Sequence, residues 1–209
     1  MPKPTISKEL GRWFLTDRVR DEVDWWGTSQ SQGEEPPALQ KPRSGGYEPI
    51  PLPKVDELEL PPCDLFTAIG RRESHRRFSN TPLRLQELAL LLWSTQGVRR
   101  YLHEAAMLRT VPSAGCRHPF ETYLAVLRVE GLSPGVYRYL PLEHVLQQQA
   151  SPDELAARLA AAVRGQRFVA QAAVTFLWSA IPARTEWRYA EASAKVIALD
   201  AGHLCQNLY

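Results

Sequence analysis

Two short segments hold residue types that can do chemistry together. The first is Arg71-Arg72-Glu73-Ser74-His75-Arg76-Arg77-Phe78, and the second is Arg109-Thr110-Val111-Pro112-Ser113-Ala114-Gly115. Alternate residues of an extended segment face the same way, so Arg72, Ser74 and Arg76 can reach one ligand. Two guanidinium groups and a hydroxyl suit a phosphate, to which arginine donates in bidentate fashion. The bland reading is a solvated run, or basic residues complementing the negative end of a helix. The serine between two arginines favours the ligand. Pro112, Ser113, Ala114 and Gly115 offer a small-residue backbone that a flat ring can approach, with N–H groups for its polar edge. The plain alternative is a proline turn before a strand.

Other chemistries find no support. The chain has no Walker-type loop, no Gly-x-Gly-x-x-Gly and no Gly-x-Ser-x-Gly, which argues against nucleotide, Rossmann and serine-hydrolase sites. Cys116/His118 and His203/Cys205 suggest a metal, but residues two apart on a helix point in different directions, so no metal site is expected. Asp200 and His203 do share a helix face. They form either an acid–base pair or, the favoured reading, a partly buried histidine with its partner.

The elements that must position these residues read as follows. Asp64 caps a helix over Leu65–Arg72. A second helix covers Leu85–Gln96, with Leu85, Leu88, Leu91, Leu92 and Trp93 on one side and Gly97 as its stop. Residues 98–112 read as a loop. Strands are expected at Phe120–Val129, Val136–Leu140, Val145–Gln149 and Ala172–Ser179. Ser151-Pro152-Asp153-Glu154 opens a helix to about Arg164. A last helix covers Ser193–Leu208. Nothing after Leu208 terminates that helix, which suggests a chain that ends before its domain does.

Residues 1–62 differ from residues 63–209. Eight of the 17 prolines lie between Pro36 and Pro62, and Trp13, Trp25 and Trp26 precede them. This composition predicts an extended arm whose tryptophans dock on a neighbouring surface: the main domain, or else a peptide or second subunit. At 209 residues, 44% hydrophobic and 23% charged, the chain can bury a core. A net charge of +2 gives no reason to expect nucleic acid. The absence of a signal pattern, of a spanning apolar run and of paired cysteines points to a cytoplasmic protein with no membrane contact.

Arg72-x-Ser74-x-Arg76, Leu92-Trp93-x3-Gly97 and Arg109-x2-Pro112-Ser113-Ala114-Gly115 resemble the SagB/ThcOx-type peptide azoline dehydrogenases of the nitroreductase superfamily. Further on, so do Pro119-x3-Tyr123, Gly131-Leu132-x-Pro134-Gly135-x-Tyr137-x-Tyr139, Arg184-x2-Trp187-x-Tyr189 and Asp200-Ala201-Gly202-His203-x2-Gln206-Asn207. The resemblance implies an α+β, nitroreductase-like fold with an antiparallel-dominated central sheet flanked by helices. It also implies a homodimer holding flavin mononucleotide (FMN). By position, Arg72, Ser74 and Arg76 would hold the cofactor's phosphate, ribityl chain and ring edge. Glu73 would contribute mainly backbone, and Pro112, Ser113, Ala114 and Gly115 would line its ring system.

Members of that branch oxidise thiazoline or oxazoline rings of ribosomally made peptides, with a cyclodehydratase as partner. Their Lys-Tyr pair falls at Arg188 and Tyr189. An arginine does not give up its proton at useful pH. The expectation is therefore that Tyr189 moves the proton and Arg188 favours its ionised form. Ala190 and Ala192 stand where the family tends to have Gly and Arg. Two other functions fit the same residues: an NAD(P)H-dependent nitroreductase or quinone reductase, and a non-catalytic, truncated relative serving as a binding module.

Overall fold

A computed structural model describes residues 7–43 and 46–209. Its centre is a five-stranded sheet. The strands in chain order are β1 (Ile50–Pro51), the outer hairpin β2 (Val98–His103) and β3 (Ala106–Arg109), then β4 (Phe120–Val126), β5 (Gly135–Leu140), β6 (Val145–Ala150) and β7 (Val174–Ala180). The main sheet runs β1-β6-β5-β4-β7, and every neighbouring pair is antiparallel. Among the described residues six α-helices accompany it: α1 (Lys8–Leu15), α2 (Leu65–Arg71), α3 (Leu85–Gln96), α4 (Leu155–Ala162), α5 (Pro182–Tyr189) and α6 (Ser193–Leu208). The expected antiparallel α+β architecture is what forms.

Strand alternation divides the sheet into two unlike faces. Leu124 and Val126 of β4, Tyr137 and Tyr139 of β5 and Leu146 of β6 point to one side, where they pack with Leu88, Ala89 and Leu92 of α3. α6 continues this layer, burying Leu204 against Val111 and Phe120. The opposite face carries Glu121, Arg138 and Gln147, each 3% exposed. Polar groups can be buried there because the proline-rich arm lies across them and supplies hydrogen-bond partners.

Several expectations need correction. Residues 98–109 are no loop but a hairpin; β2 is almost wholly exposed, so it shows no apolar alternation for a sequence reading to catch. Trp93 turns outward at 36% exposure while Leu88 and Leu92 are fully buried. The helix after Pro152 starts only at Leu155, because Glu154 has a left-handed φ of 55° and caps nothing; it stops at Ala162. The strand from Phe120 ends at Val126, and the last strand starts at Val174. α5 was not anticipated. The ends of α3 and α6 and the Asp64 cap, whose carboxylate accepts the Thr67 N–H at 2.8 Å, agree with expectation. α2 ends one residue early, at Arg71. Among the described residues no helix is long and apolar enough to cross a membrane.

Candidate functional site

The site grows from the loop that leaves β3. Ser113 is extended, Ala114–Cys116 makes one 3-10 turn, and Gly115, Cys116 and His118 all take positive φ, at 59°, 54° and 44°. Such a backbone needs outside support. α6 gives it: the Asp200 carboxylate accepts the Ser113 hydroxyl at 2.5 Å and the Ala114 N–H at 3.3 Å. The Ser113 oxygen in turn accepts the His118 N–H at 2.9 Å. Asp200 is 4% exposed. Burial raises its pKa, against the opposing pull of the Ser113 and Ala114 hydrogen bonds. His203, one turn on, lies 3.9 Å away and is half exposed, so Asp200 serves the loop first and the histidine second.

His118 is held neutral. Burial and the nearby Arg109, Arg117 and Arg184 charges drive its pKa down to about 3, and its Nε2 lies 3.1 Å from the Met107 carbonyl. A neutral ring with Nε2–H donating to that carbonyl satisfies the contact.

α5 brings the second group of residues to the loop. A Cβ placed on Gly115 would lie 2.6 Å from Arg188 Cδ and 3.1 Å from the Tyr189 hydroxyl oxygen. Glycine is thus required twice at this position, by its φ and by the pair pressed against it. Arg188 lies 5.7 Å from the centroid of the Tyr189 ring. Immediately after, Ala190 takes φ 41° and ψ −122°, and the chain turns sharply into α6.

The arm fastens α5 from outside. Gln30 donates its N–H to the Trp187 carbonyl at 2.9 Å and accepts from Arg188 Nη1 at 3.1 Å. Trp187 Nε1 donates to the Glu34 carbonyl at 3.0 Å, and the Trp25 and Tyr189 rings meet edge to face at 6.5 Å. Trp13 packs with Val19, Val23 and Ala192. Farther along, buried arginines seize the arm by its carbonyls. Arg184 Nε donates to Ala38, Arg109 Nη2 to Leu39 and Arg138 Nη2 to Pro42, at 2.8, 3.2 and 2.7 Å. Glu121 neutralises Arg184 at 2.5 Å and also accepts the Lys41 N–H. Burial and the Arg184 charge lower the Arg109 pKa to about 10.

The arginine-rich segment sits elsewhere. Residues 71–78 are exposed. The Arg72 guanidinium lies 5.8 Å from the Tyr209 ring at the end of α6, and that of Arg76 lies 5.9 Å from Phe168. Glu73 is 3.8 Å from His75. The structure therefore brings Pro112–Gly115 together with Arg188 and Tyr189, and puts Arg72 toward the far end of the same helix. From Asp200 to Tyr209, a rise of 1.5 Å per residue spans about 14 Å. Gly115 and Arg72 thus stand toward opposite ends of α6. Arg188 covers the Gly115 Cα, so a ring would lie beside this side chain or displace it.

Four contributors escaped the sequence reading. Asp200 as the anchor of the Ser113 loop has no local signal, since the partners are far apart in the chain. Arg109 and Arg184 were visible only as parts of motifs, and Gln30 had no signal at all.

The profile of the nitroreductase family matches residues 69–209. A Methanocaldococcus jannaschii protein that bears a nitroreductase name, MJ1384, is 32% identical over 160 residues, which make up 77% of this chain and 76% of that one. A solved structure from Ralstonia eutropha, also titled as a nitroreductase, superposes with a TM-score of 0.56 at 28% identity, covering 78% of each chain. One from Anabaena variabilis gives 0.52 at 28% identity, covering 59% of this chain but 26% of its own longer one. A chain of the Escherichia coli microcin synthetase McbBCD complex, solved with truncated pro-MccB17 bound, gives 0.50 at 17% identity over 98% of this chain and 82% of that one; at that identity it shows the fold alone.

Proposed function

The chain belongs to the nitroreductase family, and we propose that it is an FMN-dependent oxidoreductase that dehydrogenates azoline rings in a ribosomally made peptide. The observation that carries this reading is the contact of Arg188 and Tyr189 with Gly115, on a loop that Asp200 pins in place. In this reading, the phenol and the guanidinium beside Gly115 would face the substrate of a ring resting on Pro112–Gly115. The motif resemblance to the azoline dehydrogenases supports the choice of substrate.

When bound, FMN supplies a two-electron acceptor for a hydride, and oxygen or another acceptor restores it. The protein supplies the rest. Arg72, Ser74 and Arg76 would hold the cofactor's phosphate, ribityl chain and ring edge, with Glu73 lending its backbone. Pro112, Ser113, Ala114 and Gly115 bear on the ring. As one azoline carbon gives up hydride, Tyr189 takes the proton from its neighbour, and the ring becomes azole. Arg188 lies beside Tyr189. The working form in this reading is a homodimer, with a precursor peptide as substrate and a cyclodehydratase as partner.

The relatives' names favour a second reading, an NAD(P)H-dependent nitroreductase or quinone reductase. Purified chain is examined in the visible region with and without added FMN, then mixed anaerobically with NADPH or with a thiazoline peptide. Bleaching by the peptide alone supports the dehydrogenase. Rapid bleaching by NADPH alone supports the reductase. A colourless protein that ignores FMN overturns both and leaves a non-catalytic binding module.

A further inference from the structure

Arg188 and Tyr189 also border a cavity of about 470 Å³, whose other walls come from the arm: Arg20, Trp25, Trp26 and Gln30. We propose that this cavity binds a flat, negatively charged group, an aromatic or azole carboxylate, held between the arm and α5.

The chemistry of the walls selects the ligand. Three aromatic rings line the space, Trp25, Trp26 and Tyr189. Such rings accept a planar partner by stacking or edge contact. The two ionisable groups besides Tyr189 are both guanidiniums, Arg20 and Arg188, and no carboxylate lines the cavity. Two acids near the arm wall have other partners. Asp24 accepts the Trp26 backbone N–H at 3.1 Å, and Asp17 is 3.4 Å from Arg20 in an exposed pair shared with Lys195. An exposed pair of this kind holds its arginine weakly. Arg117 adds to the positive field: it stacks at 4.9 Å on Trp187, one residue from Arg188. An anion entering this space meets two guanidiniums, one held only by an exposed ion pair and one by the neutral Gln30 amide.

The cavity is a built one, because its arm wall is fixed. The Thr28 and Ser31 hydroxyls both donate to the Trp25 carbonyl, at 3.2 and 2.6 Å, and Thr28 is 5% exposed. Gln30 is tied to both Trp187 and Arg188. Beyond it the arm is gripped at Ala38, Leu39 and Pro42 by buried arginines. Ordering that would otherwise oppose binding has been completed in folding.

The test is calorimetric titration of the full chain, saturated with FMN, using 2-phenylthiazole-4-carboxylate and its uncharged carboxamide. The carboxylate is expected to bind at one site, about tenfold more tightly than the amide, as one charge-assisted contact of about 1.4 kcal/mol implies. Arg20→Gln is expected to bring the carboxylate down to the amide's affinity. Trp26→Ala is expected to weaken both; Trp26 is 85% exposed, so its loss leaves the core intact. Equal affinity for the two probes, no binding, or indifference to Arg20→Gln overturns the proposal. The visible spectrum of the same sample separates the two readings: flavin colour without probe binding rejects the cavity alone. Probe binding by a protein that takes up no flavin retains the cavity and rejects the oxidoreductase.

Discussion

Asp200 holds Ser113 by a hydrogen bond of 2.5 Å that spans 87 residues of sequence, and through it one helix sets the conformation of the loop it faces. Replacing Asp200 by alanine orphans the Ser113 hydroxyl and the Ala114 N–H together. A loss of about 1.5–3 kcal/mol is expected in denaturant unfolding, the range for hydrogen bonds to charged groups. Asp200→Asn should recover part of it. Because burial raises the Asp200 pKa, its titration contributes stability that is full below the ordinary value of 3.8 and is lost as pH rises through the raised folded-state value. The stability advantage of wild type over Asp200→Asn is therefore expected to shrink with rising pH across that window.

Gly115→Ala should be costly for two separable reasons. Its φ of 59° strains any side chain, and the new methyl would lie 2.6 Å from Arg188 Cδ. The backbone part alone costs about 1–2 kcal/mol. A drop of this size or more in urea unfolding is expected; an unchanged midpoint would refute the close approach of α5 to the loop.

Ala190→Gly should do the opposite. Ala190 takes φ 41° with ψ −122°, a conformation that favours glycine. Relief of that strain outweighs the added freedom of the unfolded chain, so a gain of about 1 kcal/mol is expected, read as a higher Tm.

His118 should make the protein acid-sensitive. With a folded-state pKa of about 3 against an ordinary 6.5, its contribution is fully present above 6.5 and is lost as pH falls toward 3. The slope is about 1.4 kcal/mol per pH unit in that window. His118→Gln keeps a donor for the Met107 carbonyl and removes the titration. Its unfolding free energy should fall less steeply than wild type between pH 6.5 and 5.

Tyr189→Phe separates chemistry from binding. If the phenol carries the proton, turnover should fall by about 10²–10⁴-fold while the flavin spectrum stays unchanged. Full turnover in this variant would remove Tyr189 from the proposed mechanism.

The residues that stand out along the chain do so for local reasons, and what escaped notice is non-local. α3 and α6 could be placed because their apolar repeats are regular, and Gly97 marks the end of α3. α5 escaped because its buried face is Arg184 and Thr185, so its hydrophobic pattern points nowhere. β2 escaped for the converse reason, having no buried face to announce it. Pro112–Gly115 and Arg188–Tyr189 each caught attention as short segments. Their contact depends on the turn at Ala190, which an alanine conceals and a glycine would have advertised.

The prolines of the arm and the arginines beneath it belong to one arrangement. A proline-rich strand is poor in N–H groups and cannot knit itself into a sheet, yet every residue still offers a carbonyl. Such a strand is moored chiefly by donors, and a guanidinium is the side chain richest in them. Because the moorings at Ala38, Leu39 and Pro42 grip the main chain, the side chains at these positions are free to drift under mutation, whereas the length of the arm is not. Loss of a single residue between Gln30 and Ala38 would slip the carbonyls out of register and strand cations inside the protein, so insertions and deletions there should be tolerated far less than substitutions.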